Sequence, residues 1–95
     1  MVYSLTLDGF QKQKRHDGIY VFYSPNCFTC EFHIEKFSKQ FPTFYAISTS
    51  EDIEYFDSIG IKITPTTRIY KSGNLVWEKD GMLFDEQLEE MRKYL

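Results

Sequence analysis

The 95-residue sequence predicts an α/β fold in which a central mixed β-sheet carries helices on both of its faces. Short runs of apolar, aromatic and β-branched residues alternate with stretches in which apolar residues recur at helical spacing. The early strands are separated by a helix, as in a parallel βαβ unit, whereas the last two are joined by a tight turn, as in an antiparallel hairpin. Helices can then cover both faces of one sheet, and we expect a single domain over residues 1–95.

The first half of the chain is predicted to alternate between strand and helix. Residues 2–4 are expected to form a short edge strand and residues 7–14 a short helix. Residues 19–23, Ile-Tyr-Val-Phe-Tyr, form a continuous apolar and aromatic run, which is typical of a strand buried on both faces. A helix is predicted over about residues 27–40, followed by a strand over residues 43–48. The apolar face of that helix consists of Cys30, Ile34, Phe37 and Phe41.

The second half is predicted to contain a short helix, a hairpin and a last helix. Ser50 is expected to cap the short helix, which ends at Gly60. Residues 66–71 are rich in β-branched and aromatic residues and are predicted to form a strand. A tight turn at residues 72–74 then leads into the second hairpin strand over residues 75–78. The last helix is predicted to bury an apolar face formed by Phe84, Leu88, Met91 and Leu95.

Composition and charge limit the partners that the chain is expected to bind. The net charge of −3 argues against non-specific binding to nucleic acid. A basic cluster is interpreted as the solvated face of the first helix, and its members are Lys12, Lys14, Arg15 and His16. No stretch approaches the ~20 apolar residues that span a bilayer, and residues 1–8 lack the features of a signal peptide. We therefore expect a cytoplasmic monomer that binds neither nucleic acid nor membrane.

The stretch Ser-Pro-Asn-Cys-Phe-Thr-Cys holds the only two cysteines of the chain, Cys27 and Cys30. They could form a redox couple, half of a metal site or a local structural staple. A bridge between residues three apart closes a very small loop and constrains the unfolded chain little. A zinc site usually needs four protein ligands, and only His16 and His33 could complete it. A redox dithiol needs nothing beyond the pair, so the small number of possible metal ligands favours a redox couple.

The position of the pair assigns different roles to the two sulfurs. Cys27 is predicted at the start of a helix, where free backbone N–H groups and the helix dipole favour a thiolate. Cys30 follows one turn later and lies deeper. Cys27 is therefore the predicted nucleophile in disulfide exchange, and Cys30 is predicted to resolve the mixed disulfide that forms.

Over nearly its whole length the chain resembles the thioredoxin family. A buried strand leads into Cys-x-x-Cys, and the later stretch GIKITPTTRIYKSGNLVWEKDG is similar to the family's cis-proline, hairpin and glycine series. By this resemblance Pro65 is the cis-proline, Gly73 the hairpin glycine and Gly81 a glycine near the rim of the active site. The resemblance implies a thioredoxin fold, with the Thr64–Pro65 loop facing the dithiol.

The resemblance also implies an activity. It is that of a thiol–disulfide oxidoreductase that reduces or exchanges protein disulfides through Cys27 and Cys30. A thioredoxin-reductase-like protein or a small thiol would donate the electrons, with no metal and no cofactor besides the redox-active disulfide. A cytosolic location favours the reducing direction. The implied substrate-binding residues are Phe28, Ile63, Thr64, Pro65, Gly81 and Met82.

The chain departs from the family pattern around the dithiol. Asn-Cys-Phe-Thr-Cys stands where members usually carry Trp-Cys-Gly-Pro-Cys. Val21 and Ala46 stand where many members have a buried Asp and a nearby Lys, so the base that serves the second cysteine there is absent. His33 is interpreted as a partly buried packing residue, the alternatives being a tuning group or a metal ligand.

Two other functions remain open from the sequence. The chain could be a metal-binding module in which the two cysteines hold zinc or share an iron–sulfur cluster across a dimer. It could also be an interaction protein of the same fold in which the dithiol is incidental.

Overall fold

The computed structural model describes residues 2–13 and 16–95. The strands are β1 (Val2–Leu5), β2 (Gly18–Tyr23), β3 (Phe44–Ser48), β4 (Thr66–Lys71) and β5 (Asn74–Asp80). The helices are α1 (Leu7–Gln13), α2 (Phe28–Gln40), α3 (Ile53–Ser58) and α4 (Asp85–Arg92), and a 3-10 turn spans Thr49–Glu51. Lys14, which the predicted first helix included, and Arg15 lie outside the described residues.

The five strands form one mixed sheet in the order β1-β3-β2-β4-β5. β1, β3 and β2 run parallel, and β4 and β5 join β2 as an antiparallel hairpin. β2 therefore lies in the centre, and its four middle residues, 19–22, are all buried. The predicted fold class and the predicted edge position of the first strand are confirmed.

Helices cover both faces of the sheet and enclose two clusters of buried side chains. The α1/α3 core is mainly aromatic and consists of Phe10, Tyr20, Phe22, Ile47, Phe56, Ile61 and Tyr70. Most of its ring pairs meet edge to face: the Phe10 and Phe22 centroids, for example, are 5.2 Å apart at 85°. The α2/α4 core contains Ile19, Val21, Phe37, Phe41, Phe44, Ile69, Trp77, Leu83, Leu88 and Met91. Alternate residues of β2 thus point into different cores.

The cap of α3 differs from the prediction. Asp52, not Ser50, caps this helix, because its carboxylate accepts a hydrogen bond from the Tyr55 N–H at 3.0 Å. After β3 the chain first makes the 3-10 turn, which is held by Thr49: its buried side chain donates to the Tyr23 carbonyl at 3.3 Å. α3 therefore begins at Ile53, two residues later than a helix capped by Ser50 would begin.

The last helix is shorter than its apolar pattern predicted. Leu88 and Met91 are buried as expected, but Phe84 and Leu95 are 66% and 51% exposed. α4 begins at residue 85 and ends at 92, so both exposed residues lie beyond the helical repeat. Phe84 has an extended backbone, and Leu83 occupies the buried position in its place.

A buried cation holds the chain that leads to Pro65. The Arg68 guanidinium on β4 donates to the Ile59 carbonyl at the end of α3, to the Glu78 carboxylate and, at 3.0 Å, to the Tyr70 hydroxyl. It also lies 5.7 Å from the centre of the Phe22 ring. Arg68 thereby fixes the start of the loop that connects α3 with β4.

His33 is a buried polar residue of α2 on the side of the α2/α4 core. Its ring is 1% exposed, and Nε2 lies 3.3 Å from Thr67 Oγ1 on β4. Burial, with a smaller effect from Lys36, lowers the pKa of His33 from 6.5 to about 4. The imidazole is therefore neutral at neutral pH.

This pKa shift predicts that the protein loses stability as the pH falls. Between pH 6.5 and about 4 the unfolded chain binds a proton at this histidine that the folded chain does not, so stability rises with pH across that window. The full effect is about 3 kcal/mol in the free energy of unfolding. Denaturant titrations of the oxidised protein between pH 4 and 7 should show this slope in the parent and lose it in His33→Gln. His16→Gln, which removes an exposed histidine, is the control. An unchanged slope in His33→Gln would contradict the prediction.

Candidate dithiol site

The candidate site lies at the edge of the sheet where β2, β3 and β5 end and β4 begins. Ligand sites of α/β sheets characteristically form at the carboxyl ends of parallel strands. Here β2 leaves the core at Tyr23, and residues 24–26 turn the chain. Asn26 adopts φ +61°, a left-handed conformation that asparagine tolerates well. The turn delivers Cys27 to the start of α2.

Cys27 and Cys30 form a disulfide, with their Cα atoms 5.2 Å apart. Cys27 is the N-cap of α2, which begins one residue later than predicted. The Cys30 N–H donates to Cys27 Sγ at 3.3 Å, and the Thr29 hydroxyl lies 3.4 Å from the same sulfur. A thiolate at Cys27 would keep both donors and the positive end of the helix dipole, which is the arrangement that lowers a thiol pKa.

The two sulfurs differ in exposure. Cys27 is partly exposed, whereas Cys30 is 1% exposed and belongs to the buried face of α2. A macromolecule can therefore approach Cys27 but not Cys30. This asymmetry suits an attacking thiol and a resolving thiol.

The loop before β4 meets the turn that carries the cysteines. The Thr64–Pro65 peptide bond is cis. The hydroxyls of Ser24 and Thr64 are 2.6 Å apart, which joins the two segments directly. At the first residue of β4, the buried Thr66 hydroxyl donates back to the Ile63 carbonyl of the loop at 2.7 Å. Sequence reasoning missed Ser24, although a hydroxyl residue directly after a buried strand is well placed for such a contact.

The segment after β5 completes the same edge. The Gly81 N–H donates to the Pro65 carbonyl at 2.8 Å. Gly81 has φ +85°, in the region that favours glycine, and a Cβ there would meet no atom within 4 Å. Backbone conformation rather than space thus accounts for this glycine. Met82 follows it and is partly buried.

Apolar side chains are exposed on the segments that meet at this edge. Phe28, in the first turn of α2, is 82% exposed, and Ile63, in the loop before Pro65, is 49% exposed. Phe32 is also exposed and lies one turn after Phe28, on the same side of α2. The spacing of four residues could have identified Phe32 from the sequence.

On the side of the sheet that α2 covers, the core cluster is apolar, and His33 and Thr67 form a pair of buried polar side chains beside it. Val21 pairs with Ala46 on β3 and with Thr67 on β4, so all three lie side by side across the sheet. Val21 is fully buried and carries no ionisable group. The interpretation of His33 as only partly buried is wrong, because its ring reaches between α2 and β4 to the Thr67 hydroxyl.

The proposed metal ligands do not come together. His16 lies before β2 and the cysteines lie after it, at the other end of that strand. Among residues 2–13 and 16–95, no group of three or more His, Cys, Asp or Glu residues is arranged to hold a metal ion.

In the same residues, no helix has the length and apolarity required to cross a membrane.

No family model matches the sequence, and comparison with curated proteins gave no match either. Solved structures do match. Thioredoxin f from spinach chloroplast is 20% identical over 97% of this chain and 91% of its own, with a TM-score of 0.79. Thioredoxin f2 from Chlamydomonas reinhardtii is 17% identical over 99% and 96%, with a TM-score of 0.80. Thioredoxin O1 from Arabidopsis thaliana, in its oxidised state, is 20% identical over 97% and 96%, with a TM-score of 0.76. The chain therefore has the thioredoxin fold, with a Cys-x-x-Cys pair at the start of a helix.

Proposed function

We propose that the chain is a thiol–disulfide oxidoreductase that reduces or exchanges protein disulfides through Cys27 and Cys30. One observation carries the proposal: a partly exposed cysteine at the N-cap of a helix is bridged to a buried cysteine one turn later. The thioredoxin fold and the Ser24–Thr64 contact beside this pair support it.

The reaction requires two exchanges of sulfur. The Cys27 thiolate attacks a substrate disulfide, forms a mixed disulfide and releases one substrate thiolate. The Cys30 thiol loses its proton and attacks Cys27 Sγ, which releases the second substrate thiolate and leaves the Cys27–Cys30 disulfide. Two electrons pass to the substrate, and each substrate thiolate takes up a proton. An external dithiol then reduces the protein by the reverse sequence.

The surroundings of the dithiol suit an extended polypeptide substrate. The backbone N–H and carbonyl of Thr64 can pair with a substrate segment as an added strand, next to Pro65, which has no N–H to offer. Gly81 borders this loop through its hydrogen bond to Pro65. Phe28, Ile63 and Met82 would then contact apolar side chains near the substrate disulfide, which unfolded or flexible proteins expose.

The location and the electron donor belong to the same proposal. We propose a cytoplasmic monomer that works in the reducing direction, since cytosolic thiols are kept reduced. A thioredoxin-reductase-like protein or a small thiol would supply the electrons, and no bound cofactor is needed. Equilibration of the protein with dithiol buffers would measure its redox potential and thereby test the direction.

Insulin reduction with dithiothreitol as electron source tests the activity. The parent protein should accelerate insulin reduction, whereas Cys27→Ser and Cys30→Ser should not, because each lacks one of the two sulfurs that the cycle uses. Circular dichroism would show that both variants are folded. A folded parent without activity, or a fully active Cys27→Ser variant, would refute the proposed function.

The roles of the two thiols are tested by trapping. Cys30→Ser should accumulate mixed disulfides with oxidised protein substrates, because the resolving thiol is gone. Cys27→Ser should accumulate none, since its remaining thiol is 1% exposed. Non-reducing gels and mass spectrometry would locate the bond. Mixed disulfides on Cys30 of the Cys27→Ser variant would reverse the assignment.

The exposed aromatic beside the nucleophile should matter for protein substrates only. Phe28→Ala should lower kcat/KM for insulin by about tenfold, which corresponds to part of the energy of burying one Phe side chain. The rate with the small disulfide 5,5′-dithiobis(2-nitrobenzoate), DTNB, should stay within about twofold. Leu75→Ala is the matched control, because Leu75 is exposed on β5 at the opposite end of the strand from Gly81. An equal loss with DTNB would indicate an effect on Cys27 itself.

A further inference from the structure

The buried thiol of Cys30 must lose a proton before it can attack, and its surroundings offer very few acceptors. Cys30 is 1% exposed, so bulk water has little access to it. On the α2/α4 side of the sheet, the interior is built mainly of aliphatic and aromatic side chains. A thiolate formed there without a partner would be disfavoured by desolvation.

Among the described residues, His33 is the one ionisable side chain besides Cys30 that is buried on this side. The other buried ionisable residues belong to the opposite face: Tyr20 and Tyr70 are part of the α1/α3 core, and Arg68 packs on Phe22. His33 follows Cys30 by three residues on the buried face of α2. Side chains at this spacing are neighbours, with Cβ atoms about 5–6 Å apart.

The contact with Thr67 fixes the direction of the imidazole. Nε2 lies 3.3 Å from Thr67 Oγ1, and Thr67 is paired with Val21, the central buried residue of β2. The Phe37 ring, 5.4 Å from the imidazole, packs beside it. The ring is thus held between the helix that carries Cys30 and the strand behind it.

We propose that His33 is the proton acceptor for Cys30 during resolution of the mixed disulfide. This inference rests on the proposed function and names the group that serves its second step. His33 is neutral at neutral pH and so can accept a proton, and the negative charge of a Cys30 thiolate beside it would favour the imidazolium that burial otherwise disfavours. The charged neighbour that acts on it is Lys36 of the same helix, which is paired with Asp85 at the start of α4 at 3.9 Å. β2 and β4 face the ring with uncharged residues, Val21 and Thr67.

The proton and the electrons balance in this step. The Cys30 thiol transfers its proton to the imidazole, and the thiolate attacks Cys27 Sγ of the mixed disulfide. The Cys27–Cys30 bond forms as the bond between Cys27 and the substrate sulfur breaks, and that sulfur leaves with the electron pair. The imidazolium then returns the proton to the departing thiolate or to water. No further reactant is needed.

The reaction of the reduced protein with DTNB separates the two steps. Attack by Cys27 releases one thionitrobenzoate, and resolution by Cys30 releases a second at a rate that does not depend on DTNB concentration. In stopped-flow measurements near pH 7, His33→Gln should keep the first rate within about twofold. It should slow the second by roughly 10²-fold, the lower end of the ~10²–10⁴-fold range of general-base contributions, because burial makes this imidazole a weak base. The deficit should shrink as the pH rises and Cys30 ionises without help.

Two further variants separate proton transfer from packing. His16→Gln, at an exposed histidine, should leave both rates unchanged. Val21→Asp in the His33→Gln background should restore much of the second rate, because it places a carboxylate beside Thr67 on the same buried face. In the parent with His33 intact, Val21→Asp should accelerate resolution little.

Some outcomes would overturn the inference. These are a folded His33→Gln protein that resolves at the parental rate, or one in which both rates fall equally. If His33→Gln does not fold, an NMR pH titration of the reduced parent protein tests the proposal instead. The His33 ring signals should shift over the same pH range in which Cys30 titrates. Independent titrations of the two residues would refute the proposal. DTNB is not a protein substrate, so a parent that resolves it but fails to reduce insulin would refute the proposed function while leaving His33 its role.

Discussion

Burial of β2 on both of its faces is the constraint from which the rest of the structure follows. Residues 19–22 can be buried only if strands satisfy their backbone groups on both sides and helices cover both faces. β3 and β4 bond to the backbone of β2 on either side, and the helices of the two cores cover its two faces. After β2 the chain leaves the core at the carboxyl end of the strand and turns at residues 24–26. The dithiol therefore lies at the start of the first helix after β2.

The site is held together by polar contacts between segments that are distant in the sequence. The Ser24 and Thr64 hydroxyls join the turn before Cys27 to the proline loop, and Gly81 joins that loop to the end of β5. Arg68 holds the far end of the loop through the Ile59 carbonyl. The backbone groups in these contacts, those of Ile59, Pro65 and Gly81, lie just outside the helices and strands, where regular hydrogen bonding does not use them. The sheet thus brings the three segments of the site to the same end of the strands, and these few hydrogen bonds fix how the segments are oriented relative to one another.

Elements whose signal is local were predicted well from the sequence. The apolar run of β2 and the stripe of Cys30, Ile34 and Phe37 on α2 needed no knowledge of their partners, because period and length suffice. Features that depend on a distant partner were not. Between β3 and α3 the chain makes a 3-10 turn whose Thr49 donates to the distant Tyr23 carbonyl, and Asp52 after this turn, not Ser50 within it, caps α3. Periodicity placed Phe84 on a buried face, but helix α4 begins only after it.

The same distinction applies to the candidate site. The cysteines and their unequal exposure follow from a strand–turn–helix pattern that the sequence displays. The burial of His33 does not, since its partner Thr67 lies 34 residues away on another strand. Likewise the position of Ser24 after a buried strand suggests a polar contact, but the sequence does not identify Thr64, 40 residues later, as its partner. Pairings of this kind are decided by strand register, which one sequence shows only indirectly.

Trp77 determines what optical spectroscopy can report about this protein. It is the single tryptophan of the chain, and its indole N–H donates to Glu90 on α4 at 3.1 Å. Its position in register with Ile69, and through it with Ile19, sets it near the beginning of β2, whereas the cysteines follow the end of that strand. Quenching of indole emission by a disulfide requires close approach. Intrinsic fluorescence should therefore monitor loss of the α2/α4 core while remaining nearly silent to the oxidation state, so that folding and redox chemistry can be recorded in one sample by separate signals.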